Sequence, residues 1–164
     1  ALEELMESLD DSDKVVVWSR FREDLRLMAE ALSAPYGAVQ FHGGVAEAAR
    51  EHAIERFQGD PACRVFLGQP QSGGFGINLT AANHVVYFCN DFSLQNRMQS
   101  EDRAHRIGQK RNVLYTDLTV PNTVDGLVLA RLKSKRDLSD LLTDRKRIVT
   151  ALRAQLLARS QADS

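Results

Sequence analysis

The sequence predicts an α/β fold in which a parallel sheet is covered by helices on both faces. Short apolar runs of strand length alternate with segments whose apolar residues recur every three or four positions. Runs such as Val15–Val17 are continuously apolar, which is typical of strands buried on both faces. The chain has 164 residues, 43% of them hydrophobic and 26% charged, which fits one globular domain.

The elements follow each other in a regular order. The chain opens with an amphipathic helix whose apolar residues, from Leu2 to Leu9, share one face that packs on the domain or on a neighbour outside the sequence. Strands are predicted at residues 14–18, 38–41, 64–67, 84–88 and 113–119. Helices are predicted at residues 25–32, with an end near Pro35 and Gly37, and at 46–57, 94–105, 124–142 and 145–158. In open sheets of this type, ligands bind beyond the carboxyl ends of the strands, so the stretches after the third and fourth strands are the places to search.

Composition excludes several classes of protein. No stretch approaches the ~20 apolar residues that a membrane-spanning helix needs. The two cysteines, Cys63 and Cys89, cannot form a disulfide framework and lack C-x-x-C spacing, so we expect neither a disulfide scaffold nor a zinc site. No signal peptide opens the chain, and its first residue is Ala1 rather than Met, so we expect it to be part of a longer protein. Residues 131–164 carry nine basic and four acidic groups, which fits either a nucleic-acid contact or a solvated helix face.

A glycine-rich stretch follows the third strand. Gly73, Gly74 and Gly76 allow tight turns and close approach of the backbone to a ligand, and exposed N–H groups in such a loop can hold phosphate. A dinucleotide fingerprint is excluded because Leu79 stands where its last glycine should be, and a P-loop is excluded because none of the five lysines follows a glycine. A plain structural turn remains the alternative.

An arginine-containing segment, residues 99–109, follows the fourth strand. Arg103 and Arg106 are three residues apart, so they share one helix face or the end of that face. Two guanidinium forks aimed at one point suit the charge that develops during phosphoryl transfer. The alternative is an ion-paired surface helix with Glu101 and Asp102 as partners. His105 has no matching nucleophile or metal partner nearby in the sequence, so we expect a structural role for it.

These two segments together resemble motifs V and VI of helicase superfamily two. The pattern Asp102-Arg-x-His-Arg-Ile-Gly-Gln109 resembles the Swi/Snf-type DNA translocases in particular. Residues 14–21 resemble motif IV, and Phe41-His-Gly-Gly44 resembles the segment that follows it. The resemblance implies a second, RecA-like lobe over residues 14–142. Residue spacing predicts an amphipathic helix in segment 1–13 before it and a basic amphipathic helical tail, 143–164, after it.

The resemblance also implies roles for individual residues. Arg106 would be the leading arginine finger and Arg103 the second, and Gln99 would help to position the nucleotide or its water network. Gly74 and Gly76 would lie near the nucleotide. The residues implied in DNA contact are Ser19, Arg20, Gly43, Gly44, Asn78, Thr80 and Phe92.

The implied partners lie largely outside the chain. The sequence has neither a P-loop nor an Asp-Glu pair, so ATP and Mg²⁺ would be held mainly by a first RecA-like lobe, and we expect no metal site and no ATP hydrolysis by this chain alone. The DNA is expected to be double-stranded and contacted independently of sequence, and no membrane partner is expected. The alternative is a non-catalytic DNA- or protein-binding module.

The sequence departs from the family pattern at Gln69-Pro-Gln-Ser72 and at Phe92-Ser-Leu94. It also lacks the large insertions of many nuclear remodellers. From this compactness we predict a bacterial or phage-type member, located in the cytoplasm.

Overall fold

The computed structural model describes residues 2–72, 77–90, 93–109 and 111–137. The strands are β1 (Val15–Trp18), β2 (Ala38–Phe41), β3 (Val65–Gly68), β4 (His84–Tyr87) and β5 (Leu114–Asp117). The helices are α1 (Leu2–Ser8), α2 (Arg22–Tyr36), α3 (Glu47–Gly59) and α4 (Leu94–Ala104), and residues 124–137 form a further helix, α5. Every strand predicted from the sequence is confirmed, whereas the predicted helix at 145–158 and the tail 143–164 lie outside the described residues.

The five strands form one parallel sheet in the order β2-β3-β1-β4-β5. In the register of the sheet, Trp18 at the end of β1 lies opposite Gly68 of β3 and Tyr87 of β4. The non-sequential order requires crossovers, as expected for a parallel sheet. The predicted parallel α/β sheet is therefore confirmed.

The side chains of β1 alternate between two apolar cores. Val16 and Trp18 pack on one face of the sheet with Phe57 of α3 and Ala104 of α4. Val15 and Val17 pack on the other face with residues of α1 and α2. Both faces of the sheet are covered, which explains why this strand is continuously apolar.

Helix α1 packs against the same core as α2. Leu2 and Met6 are buried there beside Val15 and Leu25. Of the two possibilities left open by the sequence, the described structure therefore places this helix on the domain.

The ends of α2 and α3 are fixed by local contacts. Helix α2 continues through Pro35 and ends at Gly37, whose φ of 63° and N–H bond of 3.0 Å to the Ser33 carbonyl form a left-handed cap. A Cβ at Gly37 would lie 2.1 Å from the Ala62 carbonyl oxygen, so only glycine fits. At the end of α3, Lys14 Nζ donates to the carbonyls of Phe57 at 2.5 Å and Asp60 at 2.8 Å.

The two described parts of the connection between β3 and β4 lie at opposite edges of the sheet. Residues 69–72 follow the carboxyl end of β3, and residues 77–83 lead into the amino end of β4. Leu79 and Ala82 are buried on the face that α3 and α4 cover. The first and last described residues of motif V therefore lie at opposite edges of the sheet.

None of the helices in the described ranges is both long and apolar enough to cross a membrane.

Candidate nucleotide and nucleic-acid sites

Helix α4 carries the motif VI residues to the amino-terminal edge of the sheet. It begins after the carboxyl end of β4 and runs back, so that the loop following it lies beside the start of that strand. Gln109 in this loop donates from Nε2 to the carbonyl of Ala82, just before β4, at 2.7 Å. Arg106 therefore lies at the amino-terminal edge of the sheet rather than beyond the carboxyl ends of the strands, where the sequence predicted a ligand site, because the helix reverses the direction of the chain.

Arg106 is exposed on the loop that follows α4. It borders an open depression of about 610 Å³, whose other lining residues include His105, Gln109, Arg111 and Tyr115. A guanidinium at such a position can contact a ligand that approaches from outside the lobe.

Arg103 lies in a different environment, although it is only three residues away. Its side chain is 5% exposed, and its guanidinium lies 5.2 Å from the centre of the Trp18 ring. Burial lowers the pKa of Arg103 from its ordinary value. Gln99, one turn earlier, is half-buried. The structure thus places the two arginines on the same segment but presents only Arg106 on the surface.

Helix α4 is held in place by an ionic network around Arg97. This guanidinium donates to Asp117 of β5 at 2.5 and 3.1 Å and to Glu101 at 2.6 Å. It also lies 3.4 Å from the centre of the Tyr87 ring. Glu101 accepts a further bond of 2.7 Å from Arg136 of α5. Glu101 therefore pairs with Arg97 and Arg136, which links α4 to β5 and to α5.

Burial and these contacts act on the pKa values of the network. Burial by itself would lower the pKa of Arg97, but the hydrogen bonds to Asp117 and Glu101 outweigh it, and the pKa is raised. Burial also raises the pKa of Tyr87, whose hydroxyl is paired with that of Ser100 at 2.7 Å. Arg97 stays cationic and Tyr87 stays neutral at physiological pH, so α4 keeps its position.

The end of motif V lies against the end of α4. The N–H of Leu79 donates to the Arg103 carbonyl at 2.9 Å. Asn78 is exposed and accepts the N–H of Thr80 at 3.1 Å, and the Thr80 hydroxyl accepts from Gln58 of α3 at 3.3 Å. Asn78 and Thr80 are thus on the Arg106 side of the lobe. Gly74, Gly76 and Phe92 lie outside the described residues.

The other predicted contact residues lie at the carboxyl edge of the sheet. Ser19 is fully buried, and its hydroxyl donates to Asp24 at 2.5 Å, so its side chain is not presented to a ligand. Arg20 is exposed, and its carbonyl accepts a bond of 2.7 Å from Gln69 Nε2. Gly43 and Gly44 are also exposed at this edge.

Arg22, the first residue of α2, completes a basic edge that sequence reasoning missed. Its Nη2 atom lies 3.3 Å from the position that a Cβ on Gly43 would occupy. His42 Nδ1 accepts the N–H of Gly44 at 3.1 Å, and burial, followed by the charge of Arg22, lowers the pKa of this histidine. The sequence shows an arginine two residues after Arg20, but only the folded sheet brings it to the glycine pair.

Side chains that could ligate a metal ion are not clustered in the described residues. In the part of the chain that the structure describes, His, Cys, Asp and Glu side chains do not gather in groups of three that could hold a metal ion.

The sheet order and the position of motif VI define a RecA-like α/β domain. A family model described as the helicase conserved C-terminal domain matches residues 1–108. The chain therefore belongs to that helicase family.

The chain is similar to named ATP-dependent helicases. It is 32% identical to ATP-dependent helicase fft1 of Schizosaccharomyces pombe over 161 residues, which are 97% of this chain and 17% of the relative. A Caenorhabditis elegans relative, "SWI/SNF-related matrix-associated actin-dependent regulator of chromatin subfamily A containing DEAD/H box 1 homolog", is 36% identical over 133 residues, 80% of this chain and 13% of its own length. The chain thus spans less than a fifth of these relatives.

A solved structure supports the same assignment. The crystal structure of the C-terminal part of the Fun30 ATPase domain superimposes with a TM-score of 0.74 at 30% identity, covering 80% of this chain and 43% of that one.

The relatives reported above lend no support to the prediction of a bacterial or phage-type member. The yeast and nematode relatives are eukaryotic, and the yeast relative matches the compact chain along 97% of its residues. A compact lobe therefore also occurs in eukaryotic helicases. Compactness does not support the predicted location in a bacterial cytoplasm.

Proposed function

We propose that this chain is the second RecA-like lobe of a Swi/Snf-type, ATP-dependent DNA translocase. The observation that carries the proposal is the exposed position of Arg106 at one edge of the sheet, opposite an edge that presents Arg20, Arg22, Gly43 and Gly44. One edge suits a nucleotide that another lobe holds, and the other edge suits a DNA backbone.

Arg106 is the proposed leading arginine finger. Its guanidinium offers a rigid, planar fork of hydrogen-bond donors that matches the geometry of a phosphate. When the cleft between the two lobes closes, this fork meets the γ-phosphate, where it stabilises the charge that develops as the phosphoryl group is transferred. Such a contact contributes roughly 10³–10⁵-fold to the rate in other nucleotide hydrolases.

Arg103 is the proposed second finger, but its side chain must move before it can contact a nucleotide. Because its guanidinium is packed over Trp18, it reaches a nucleotide only if closure of the cleft draws it away from that ring. Gln99, on the same helix, is proposed to position the nucleotide or its water network, and Gly74 and Gly76 to lie near the nucleotide.

ATP and Mg²⁺ are proposed to bind mainly on a first lobe. This sequence has no P-loop and no Asp-Glu pair. The described residues also offer no carboxylate cluster for a metal. This chain would therefore complete a nucleotide site rather than form one.

The carboxyl edge is the proposed DNA contact. Arg20 and Arg22 are exposed there, and the backbone of Gly43 and Gly44 is open to close approach. Such a surface suits phosphates, so we propose contact with double-stranded DNA independently of sequence. Phe92 is proposed to stack on or wedge against the DNA.

Motif V is the proposed connection between ATP hydrolysis at one edge of the sheet and DNA contact at the other. At one end, Gln69 bonds to the Arg20 carbonyl, and at the other, Leu79 bonds to the Arg103 carbonyl. Asn78 and Thr80 lie at this second end, and we propose that they take part in coupling to DNA. A movement of α4 on nucleotide release would in this way reach the DNA edge.

The test is DNA-stimulated ATP hydrolysis by the two-lobe protein that contains this chain. Arg106→Ala should lower kcat by about 10³-fold and leave DNA affinity almost unchanged, because the finger acts on the transition state. The control is Arg131→Ala on the exposed side of α5. The chain by itself should show no metal-dependent ATP turnover.

Two outcomes would contradict the proposal. An unchanged kcat in Arg106→Ala, with the protein folded, would favour a non-catalytic DNA- or protein-binding module. ATP turnover by the isolated chain that disappears in Arg106→Ala would show that the nucleotide site is not divided between lobes.

A further inference from the structure

The loop that carries Arg106 gains little support from burial. His105, Arg106 and Gly108 are exposed, and Ile107 is fully exposed. Gly108 has a φ of 107°, a conformation that other residues rarely adopt. A finger on such a loop needs another source of order, because misplacement by about 1 Å can cost a catalytic group 10²-fold in rate.

Gln109 supplies polar contacts from both ends of its amide group. Nε2 donates to the carbonyl of Ala82 at 2.7 Å and to that of Ala104, the last residue of α4, at 3.3 Å. Oε1 accepts the N–H of Arg111 at 2.8 Å. The backbone N–H of Gln109 also donates to the Arg106 carbonyl at 3.0 Å. One side chain thus joins the end of α4, the approach to β4 and the segment leading to β5.

We propose that Gln109 is a positioning residue for Arg106, an inference that rests on the proposed function. The two carbonyls require a donor and the N–H requires an acceptor, and a primary amide provides both. A carboxylate of nearly the same shape keeps the acceptor but places negative charge against two carbonyl oxygens. The loop would then lose its attachment while the core of the lobe stays intact.

The experiment compares Gln109→Glu with Gln95→Glu in the two-lobe protein. Gln95 is exposed on the first turn of α4, so the control makes the same chemical change away from the loop. Gln109→Glu should lower kcat for ATP by about 10–100-fold, with little change in KM for ATP or in DNA affinity. Gln95→Glu should behave as the unchanged protein.

The double variant separates positioning from a general loss of structure. If Gln109 acts through Arg106, Gln109→Glu should add no further loss to Arg106→Ala. A loss that multiplies with that of Arg106→Ala would overturn the inference. If Arg106→Ala lowers kcat while Gln109→Glu does not, only this inference fails. If Arg106→Ala has no effect, the proposed function itself fails, and the inference with it.

Gln109→Met covers the case in which the carboxylate prevents folding. It has a similar length and removes the polar contacts without adding charge. The same fall in kcat is expected, and a kcat equal to that of the unchanged protein would overturn the inference.

Discussion

Asp13 is a buried carboxylate at the amino-terminal edge of the sheet, where chain segments far apart in sequence meet. Its side chain is 8% exposed, accepts a bond of 2.7 Å from Asn83 Nδ2 and pairs with Arg111. His84 Nε2 lies 3.7 Å from Asp13 Oδ2. Burial by itself would raise the pKa of Asp13, but the hydrogen bonds from Arg111 and Asn83 outweigh it, so the pKa lies below its ordinary value.

This pKa predicts that the chain loses stability in acid. Because the folded pKa is below that of the unfolded chain, near 3.8, the contribution is complete above that value and is lost as pH falls through the folded pKa. Asp13→Asn should lower the free energy of unfolding by about 1–2 kcal/mol at pH 7 and weaken its acid dependence. Urea unfolding between pH 7 and pH 3, followed by fluorescence of Trp18, the single tryptophan, measures both.

An exposed acid is the control for Asp13. Asp11→Asn, which removes a carboxylate that is fully exposed, should leave the acid dependence intact. An Asp13→Asn protein that keeps the full loss of stability as the pH falls below about 3.8 would show that other carboxylates cause it.

Sequence reasoning found the arginines of motif VI but not their environments. Spacing predicted that Arg103 and Arg106 share a face or its end, yet α4 ends at Ala104, so the first faces Trp18 and the second faces solvent. Whether a polar residue is buried depends on which strand lies beneath its helix. The pairing of Asp13 with Arg111, 98 residues apart, could not be predicted, because it depends on how the sheet brings together the loops before β1 and β5.

At the scale of elements, β1 and β3 fit together through a large and a small residue. Gly68 ends β3 directly opposite Trp18, and a Cβ at Gly68 would lie 2.6 Å from Trp18 Cζ3. The indole is fully buried, and the guanidinium of Arg103 lies over its ring at 5.2 Å from the ring centre. The indole therefore has little room to move aside.

Gly68→Ala should lower the free energy of unfolding by about 1–3 kcal/mol, because the added methyl overpacks the core against Trp18. Gly59→Ala is the matched control, since a Cβ there meets nothing within 4 Å and alanine favours a helix. Urea unfolding measures the free energy of unfolding of both variants. Equal stabilities would mean that the indole shifts freely, which would weaken the described link between the sheet and Arg103.

The elements themselves were the most predictable part of the fold. All five strands were located, although only β1, β3 and β4 are mainly apolar, whereas β2 and β5 mix apolar and polar residues at the two sides of the sheet. Helix α2 starts at Arg22, before its first apolar residue, and passes through Pro35, because the last turn can continue where tertiary contacts support it. The strand order β2-β3-β1-β4-β5 could not be predicted, because the sequence pattern does not show which strands pair.

At the scale of the whole molecule, the two candidate sites lie at opposite edges of one sheet. The carboxyl edge presents Arg20 and Arg22 beside Gly43 and Gly44, whereas Arg106 lies at the amino-terminal edge. Variants at one edge should therefore affect DNA binding and variants at the other ATP hydrolysis. This separation can be measured because the salt dependence of binding counts phosphate contacts.

The double variant Arg20→Ala/Arg22→Ala should weaken binding of the two-lobe protein to double-stranded DNA of any sequence. It should also reduce the slope of log K against log salt concentration by about 2, since each phosphate contact contributes roughly 0.9. Arg26→Ala/Arg131→Ala removes the same charge from exposed positions further along α2 and on α5, and should leave the slope nearly unchanged. If both double variants reduce the slope equally, the effect is one of net charge, and the carboxyl edge is not the DNA contact. If only the first does, and Arg106→Ala keeps the original slope, the lobe binds DNA at one edge and acts on the nucleotide at the other.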